Sequence, residues 1–446
     1  MNWFQPALDR LASLPQDHDR RLQTFFSRDH PITLTRAPGR LDVFGGIADY
    51  SGARVLELPL ACSTSALVQP QTARHCDIAT RRGERWELFS IDLPLAEPER
   101  LASWFREHEA ERWASYVVGV AQAVLARSRA IGGLRILIDS TVPEGRGVAS
   151  SAALEVAVAT AVAAACGIEI DAADLATLCQ RVENHVVGAP CGIMDQMTSA
   201  CGKYDKLLQL RCQPGTIEGY VDVPDGYRFY GIDSGVSHAV SGADYGTVRT
   251  AAFMGLRILT TDTPWRGAYL ANLTPAEFSQ FGEMLPQEMT GSEFLARYAN
   301  ITDTATTVIP ERRYPVRQAT WHPVGEQERV DRFIALLGEL PRKPAVAVEL
   351  GDLMYGSHQS YSACGLGSNA TDRLVQMVKA AGPERGLFGA KITGGGSGGT
   401  VAVFGTRAAQ EVVRAIAAQY SAETGRASSV FADSGPGAAE TGVLRR

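Results

Sequence analysis

Two domains, each mixing β-strands with α-helices, are what the sequence predicts, and three observations predict it. The 446 residues exceed what one hydrophobic core usually serves. Strand-like runs alternate with helical patterns through both halves of the chain. A cluster of turn formers, Gln213-Pro214-Gly215 and Pro224-Asp225-Gly226, interrupts them in the middle, so we divide the chain into 1–214 and 215–446.

Composition narrows the function. Hydrophobic residues make up 45%, charged residues 21%, and the net charge is -6. That balance gives no electrostatic reason to bind nucleic acid or anionic lipid. Eight cysteines fall at irregular intervals without a Cys-x-x-Cys pair, which disfavours a zinc knuckle and a disulfide framework and fits a reducing cytoplasm. The start lacks a basic region followed by an apolar core, and the most apolar stretch, Val156 to Cys166, is too short to span a bilayer. Neither export nor a membrane segment is expected.

Residues 7–27 carry a helical pattern broken by Pro15, giving one or two leading helices. Ile32 to Arg36 alternates like a strand, which Ala37-Pro38-Gly39-Arg40 is expected to stop. Beyond it lies Gly45-Gly46-Ile47-Ala48-Asp49-Tyr50. Arg40 and Asp49 are charges in apolar and glycine-rich surroundings, so they form either a buried ion pair or part of a site. Val55 to Val68 and Asp77 to Asp92 read as strands, and 97–129 as helical. Trp113, within that helical stretch, suits either an adenine ring or the core.

The strand-like Leu134 to Ile138 then runs to Pro143 and the stretch Glu144-Gly145-Arg146-Gly147-Val148-Ala149-Ser150-Ser151-Ala152, after which an Ala- and Val-rich helix begins. Two glycines before a helix start make a phosphate cradle. Free N–H groups and the positive helix end attract phosphate oxygens, and Ser150 and Ser151 can bond phosphate or ligate hydrated magnesium. No Gly-Lys-Ser/Thr follows, so this is not a Walker loop. A glycine turn capped by serine is the structural alternative.

Asp171 to Val187 reads as a helix with Glu183 near its last turn and Pro190 beyond it. Asp195 follows in an apolar, turn-rich segment, where it either caps a helix or meets a cation or a substrate hydroxyl. Phe229 to Gly235 is strand-like. His238 reads as a structural hydrogen bonder, since no second metal-binding residue stands at a suitable spacing. Residues 250–330 mix helices with Pro-containing loops, and Glu349 to Lys379 is helical around Gly365-Leu366-Gly367-Ser368. The dense glycine run Thr393 to Gly399 precedes a strand and implies close backbone approach to a ligand or another loop.

Four of these stretches, Arg36 to Arg40, Pro143 to Ala153, Pro190 to Gln196 and Thr393 to Gly399, match in order the motifs of the galactokinase branch of the GHMP kinases, which the chain resembles over nearly its whole length. The resemblance implies an α+β two-domain fold: an N-terminal domain like ribosomal protein S5 domain 2, a C-terminal split β-α-β domain, and an active site between them. It implies that Asp195 faces the sugar's anomeric hydroxyl with Arg40 beside it, a cation that favours the ionised carboxyl and stabilises charge on the transferring phosphoryl group. It further implies that residues 145–152, Trp113, Gly395 and Gly396 bind ATP, that Ser151 and Glu183 hold Mg2+, and that Asp49, Gly46, Ile47, Gly192 and Tyr245 face the sugar.

Two departures carry information. Ala149 stands where galactokinases usually have a serine. Galactokinases also read Gly-Glu-His-Thr-Asp-Tyr where this chain has Gly45 to Tyr50, so the Glu and His that serve the sugar's 6-hydroxyl are missing. L-Arabinopyranose is galactose without that hydroxymethyl group. The altered run, with Val182 to His185 and Tyr361 to Ser368, resembles the kinase part of plant L-arabinokinases. The expectation is an ATP-dependent L-arabinose 1-kinase; a galactokinase is the second reading, and a sensor that binds sugar and ATP without transfer the third.

Overall fold

The computed structural model describes residues 2–83, 85–93, 98–127, 132–237 and 243–446. His238 and residues 97, 128 and 129 of the helical stretch lie outside the described residues.

Helices α1 (Gln5–Ser13) and α2 (Arg20–Gln23) are separated by a 3-10 turn at Pro15 and pack Ala7, Leu14 and Leu22 on one face of the first sheet. Strand β1 (Thr33–Phe44) does not end at the Pro-Gly pair as its residues suggested; it continues through a bulge between Pro38 and Arg40. Pro38 still stands opposite Ser63, and the register breaks just after it, where a bulge relieves the ladder. Gly39 is bare because a Cβ would lie 2.7 Å from the Val148 carbonyl oxygen, which the phosphate loop brings against the bulge.

Alternating residues carry β2 (Arg54–Gln71) across the whole sheet, followed by β3 (His75–Arg82) and β4 (Arg85–Asp92). Then come α3 (Pro98–Glu107), α4 (Ser115–Leu125), β5 (Gly133–Ser140), α5 (Ser150–Ala165), α6 (Ala172–Val182) and α7 (Met194–Cys201). Helix α5 is apolar nearly all round because it is buried nearly all round, and its alanines let it lie close on β1 and β2 while α4 and α6 cover its other side. The hairpin β6 (Lys206–Arg211) and β7 (Thr216–Asp222) pairs along β2, so the 214/215 division falls within that hairpin's turn.

Strand β8 (Tyr227–Asp233) opens a second sheet. After it run α8 (Ala243–Asp262), α9 (Pro275–Phe281), β9 (Met289–Thr290), α10 (Gly291–Tyr298), β10 (Arg313–Tyr314), α11 (Val316–Glu339), α12 (Val346–Ala363) and α13 (Asn369–Ala381). The chain closes with β11 (Leu387–Ile392), β12 (Thr400–Thr406), α14 (Gln410–Thr424), β13 (Val430–Phe431), α15 (Ala438–Thr441) and β14 (Leu444–Arg445). The first sheet has the order β14-β1-β2-β5-β3-β4, with β6 and β7 branching from β2; among the described residues only β3 and β5 pair in parallel. The second is the antiparallel set β11-β12-β8-β13.

Apolar clusters span the two halves; in one of them Val43, Phe44 and Leu56 of the first sheet meet Phe229, Phe333 and Phe404 of the second half. The Phe44 and Phe333 rings are 4.9 Å apart. This shared core fixes the halves against each other and leaves a cleft where the loop before α5, the turn after β1 and the loop between β11 and β12 converge. Among the described residues no helix is long and apolar enough to cross a membrane.

Candidate active site

The phosphate loop takes its shape from residues with left-handed backbone: Gly145 and Gly147 have φ +69°, and Ala149 has φ 59°. For Ala149 that conformation costs about 1 kcal/mol, a cost glycine escapes. Ala149 is the residue at the N-cap of α5, and no side chain caps the helix. The serine-capped turn is therefore not what forms, and the first-turn N–H groups and positive helix end are presented to a ligand. Arg40 holds the loop in place. Its backbone N–H donates to the Val148 oxygen at 3.0 Å, and its Nη1 donates to the Gly147 oxygen at 2.7 Å.

Two cavities meet at this loop, sharing Gly145, Ser150 and Ser151. The larger, about 710 Å³, is walled by Trp113, Tyr116, Arg81, Arg112 and Glu183. Its volume suits a nucleotide. Trp113 also packs edge-on against Phe89 at 6.2 Å, so one ring serves both cavity wall and core. The smaller cavity gathers Arg40, Gly46, Ile47, Asp49, Gly192, Asp195, Tyr245 and Gly395. Four residues expected at the nucleotide line neither cavity. Arg146 reaches toward Asp233 at 3.5 Å, Val148 and Ala152 are buried in packing, and Gly396 lies against the Leu366 carbonyl.

Arg40 does not pair with Asp49. Its Nε lies 2.9 Å and its Nη2 2.8 Å from Asp195 Oδ1, while Glu57 stands 3.4 Å away. Burial works against the guanidinium's charge, but Asp195, Glu57 and Asp42 outweigh it and raise the arginine above its ordinary range. Burial and the neighbouring Asp42 push Glu57 above the usual carboxylate range, against the opposing pull of Arg40. Asp195 is inside the first turn of α7, whose N-cap is Ile193, so it does not serve as the cap.

Asp49 accepts the Tyr50 N–H at 2.6 Å. Burial and the proximity of Asp195 push its carboxyl up to about 7, against the opposing pull of Arg249. Gly192 makes room for this carboxyl: a Cβ there would lie 1.6 Å from Asp49 Oδ2.

Two buried ion pairs escaped the sequence reading. Arg249 on α8 grips Asp303 through two hydrogen bonds of 2.8 and 2.9 Å, donates to the Cys191 oxygen at 2.9 Å and lies 5.3 Å from the Tyr50 ring centre. Lys391 Nζ meets Asp42 Oδ2 at 2.8 Å, with both side chains fully buried. Asp42 also accepts the N–H groups of Gly46 at 3.2 Å and Gly394 at 3.1 Å. A charge embedded in an apolar run was the available signal for each, but the partners lie far away in the chain.

Burial pushes the Glu183 carboxyl up to about 7, against the opposing pull of the Ser151 hydroxyl. Gln196 Nε2 donates to Glu183 at 2.6 Å and to Glu155 at 3.2 Å, and one buried Glu155 oxygen has no hydrogen-bond partner among the described residues. Glu183 and Ser151 line the larger cavity, with Glu155 fully buried beside Glu183, and this carboxyl and hydroxyl fit a hydrated divalent cation. Among the described residues no group of three or more His, Cys, Asp and Glu forms a complete cage. Magnesium with a nucleotide needs only one or two side chains besides phosphates.

Residues 115–203 match the family model for the GHMP kinases N terminal domain, and 343–422 that for the GHMP kinases C terminal region. The chain is 39% identical to L-arabinokinase of Arabidopsis thaliana over 98% of its own length, and spans about half of that protein (50%). It is 31% identical to galactokinase of Chloroflexus aggregans, covering 89% of this chain and 90% of that one. In fold it is similar to Lactococcus lactis galactokinase complexed with galactose, with a TM-score of 0.76, 20% identity, and coverage of 97% and 98% of the two chains. Together with the loop, the paired cavities and the Arg40–Asp195 contact in the smaller one, these matches establish that the chain belongs to the GHMP kinases, in their galactokinase branch.

Proposed function

We propose that this chain is an ATP- and magnesium-dependent sugar kinase that phosphorylates the anomeric hydroxyl of L-arabinose, giving L-arabinose 1-phosphate. The observation that carries the reading is the junction of the two cavities at Ser150 and Ser151, with Asp195 and Arg40 on the sugar side. ATP phosphates would lie on the loop and the start of α5, with the base beside Trp113. Asp195 would orient the sugar hydroxyl and accept its proton, and Arg40, held ionised by its acidic neighbours, would steady charge on the transferring phosphoryl group. Ser151 and Glu183 would hold magnesium, which when bound supplies charge neutralisation at the phosphates. Eight free thiols support a reducing, cytoplasmic setting.

The pentose reading rests on Gly46 and Ile47, neither of which brings a carboxylate or an imidazole into the smaller cavity beside Asp49 and Asp195, and on the similarity to the Arabidopsis L-arabinokinase. A hydroxymethyl-bearing sugar finds no partner for its extra hydroxyl on these two side chains. Galactokinase remains the second reading, favoured by the identity to the Chloroflexus enzyme over nearly its whole length. Rates with L-arabinose, galactose, galacturonate and fucose under one set of conditions separate the two. L-Arabinose should have the highest kcat/KM, with galactose down by about a hundredfold at most, since an apolar wall rejects an added hydroxyl only to that extent. A galactose preference would defeat the arabinose assignment.

A further inference from the structure

The bare turn at Gly46 and the stretch opening at Tyr361 stand far apart in the chain. In the folded chain they touch. A Cβ on Gly46 would lie 1.4 Å from the Tyr361 hydroxyl oxygen, 2.7 Å from its Cζ and 2.7 Å from Asp42 Oδ2, and Gly46 has φ +46°, so the phenol is the nearest obstacle. The phenol accepts the Ile47 N–H at 2.8 Å and donates to the Gly394 oxygen at 3.1 Å. Tyr361 is fully buried, and burial raises its hydroxyl well above the usual phenol range, so it keeps the proton that the bond to Gly394 requires.

We infer that Tyr361 is a positioning residue for sugar selection: its phenol fills the volume that a side chain at 46 would need and fastens the bare turn to the glycine loop at Gly394. This deepens the proposed function and rests on the smaller cavity being the sugar site. Gly46 and Ile47 face that cavity, whereas Tyr361 stands behind them and acts through them. Gly394 also lies against Arg40, a Cβ there being 3.1 Å from Nη2, so one hydroxyl couples the turn to the residues around the reacting oxygen. Selection at position 46 is then a property of a pair. A larger residue at 46 cannot enter while the phenol is present.

Steady-state kinetics of Tyr361→Phe test this. The ring stays and only the hydroxyl goes, leaving a buried N–H and a buried carbonyl without their partner. The KM of the preferred sugar should rise about tenfold, the KM for ATP should stay within about twofold, and the selectivity between L-arabinose and galactose should narrow. Gly46→Ala alone should abolish sugar turnover, and Gly46→Ala with Tyr361→Ala should recover a measurable part of it, because the nearest clash is gone while Asp42 Oδ2, 2.7 Å from that Cβ, still crowds it. An unchanged sugar KM and selectivity in Tyr361→Phe would overturn the inference. Equal rises in both KM values, or failure of both Tyr361 variants to fold, would also overturn it by assigning the phenol a general structural role. A wild-type preference for galactose would sink the pentose reading but not this one, which is read on whichever sugar is used.

Discussion

Asp49 shows how a single side chain's surroundings set its chemistry. Its carboxyl is buried beside Asp195 and pushed up to about 7, against the opposing pull of Arg249 and the Tyr50 and Met194 N–H groups. As pH rises through that value Asp49 ionises and becomes a full acceptor for a sugar hydroxyl. The sugar's kcat/KM should therefore climb from pH 6 and level off near about pH 8, since this parameter reports free-enzyme ionisations. Stability should run the other way. An unfolded Asp titrates near about 3.9, so between there and 7 the native chain holds a proton that the unfolded chain has lost, and stability falls as pH climbs through that window. In Asp49→Asn this limb of the rate profile should disappear and the fall in Tm with pH should be shallower; an unaltered rate profile would mean that Asp49 does not face the substrate.

Among the elements, α8 has a role that its own residues only half disclose. Tyr245 and Arg249 sit one helical turn apart on it; the first lines the smaller cavity and the second holds the Cys191 carbonyl just before Gly192 and Asp195. Asp303, from the segment between α10 and β10, neutralises the arginine. Removing one partner of a buried pair leaves an uncompensated charge, so Asp303→Ala should cost about 3 kcal/mol, seen as a lowered denaturation midpoint, and should raise the sugar KM more than the ATP KM. At this scale the sequence was readable where local pattern decides. Strands β2, β5 and β8, the apolar α5 and the glycine loop before β12 all follow from periodicity and turn chemistry. It misled where a distant backbone decides: β1 passes through Pro38 because the Val148 carbonyl crosses a bulge there, which no local rule reveals.

For the molecule as a whole, the site exists because distant segments converge. Arg40, Asp49, Ser151, Asp195 and Tyr245 could be picked out as charges, hydroxyls and motif matches in the chain, and they do line the meeting cavities. The supports behind them could not be read, because Lys391 for Asp42, Asp303 for Arg249 and Tyr361 for Gly46 become partners only once the shared core around Phe44, Phe333 and Phe404 has set the two halves together. The terminal β14 returns to β1, so the chain's last strand closes on the sheet that carries Arg40. The central claim is that this convergence places a sugar hydroxyl between Asp195 and Arg40 at the end of a nucleotide cavity. Single-turnover phosphorylation of L-arabinose by wild type and Asp195→Asn, with ATP, magnesium and enzyme in excess, tests it most directly. The account predicts that the variant still binds both substrates while the transfer rate drops by about a thousandfold or more; transfer at the wild-type rate would contradict it.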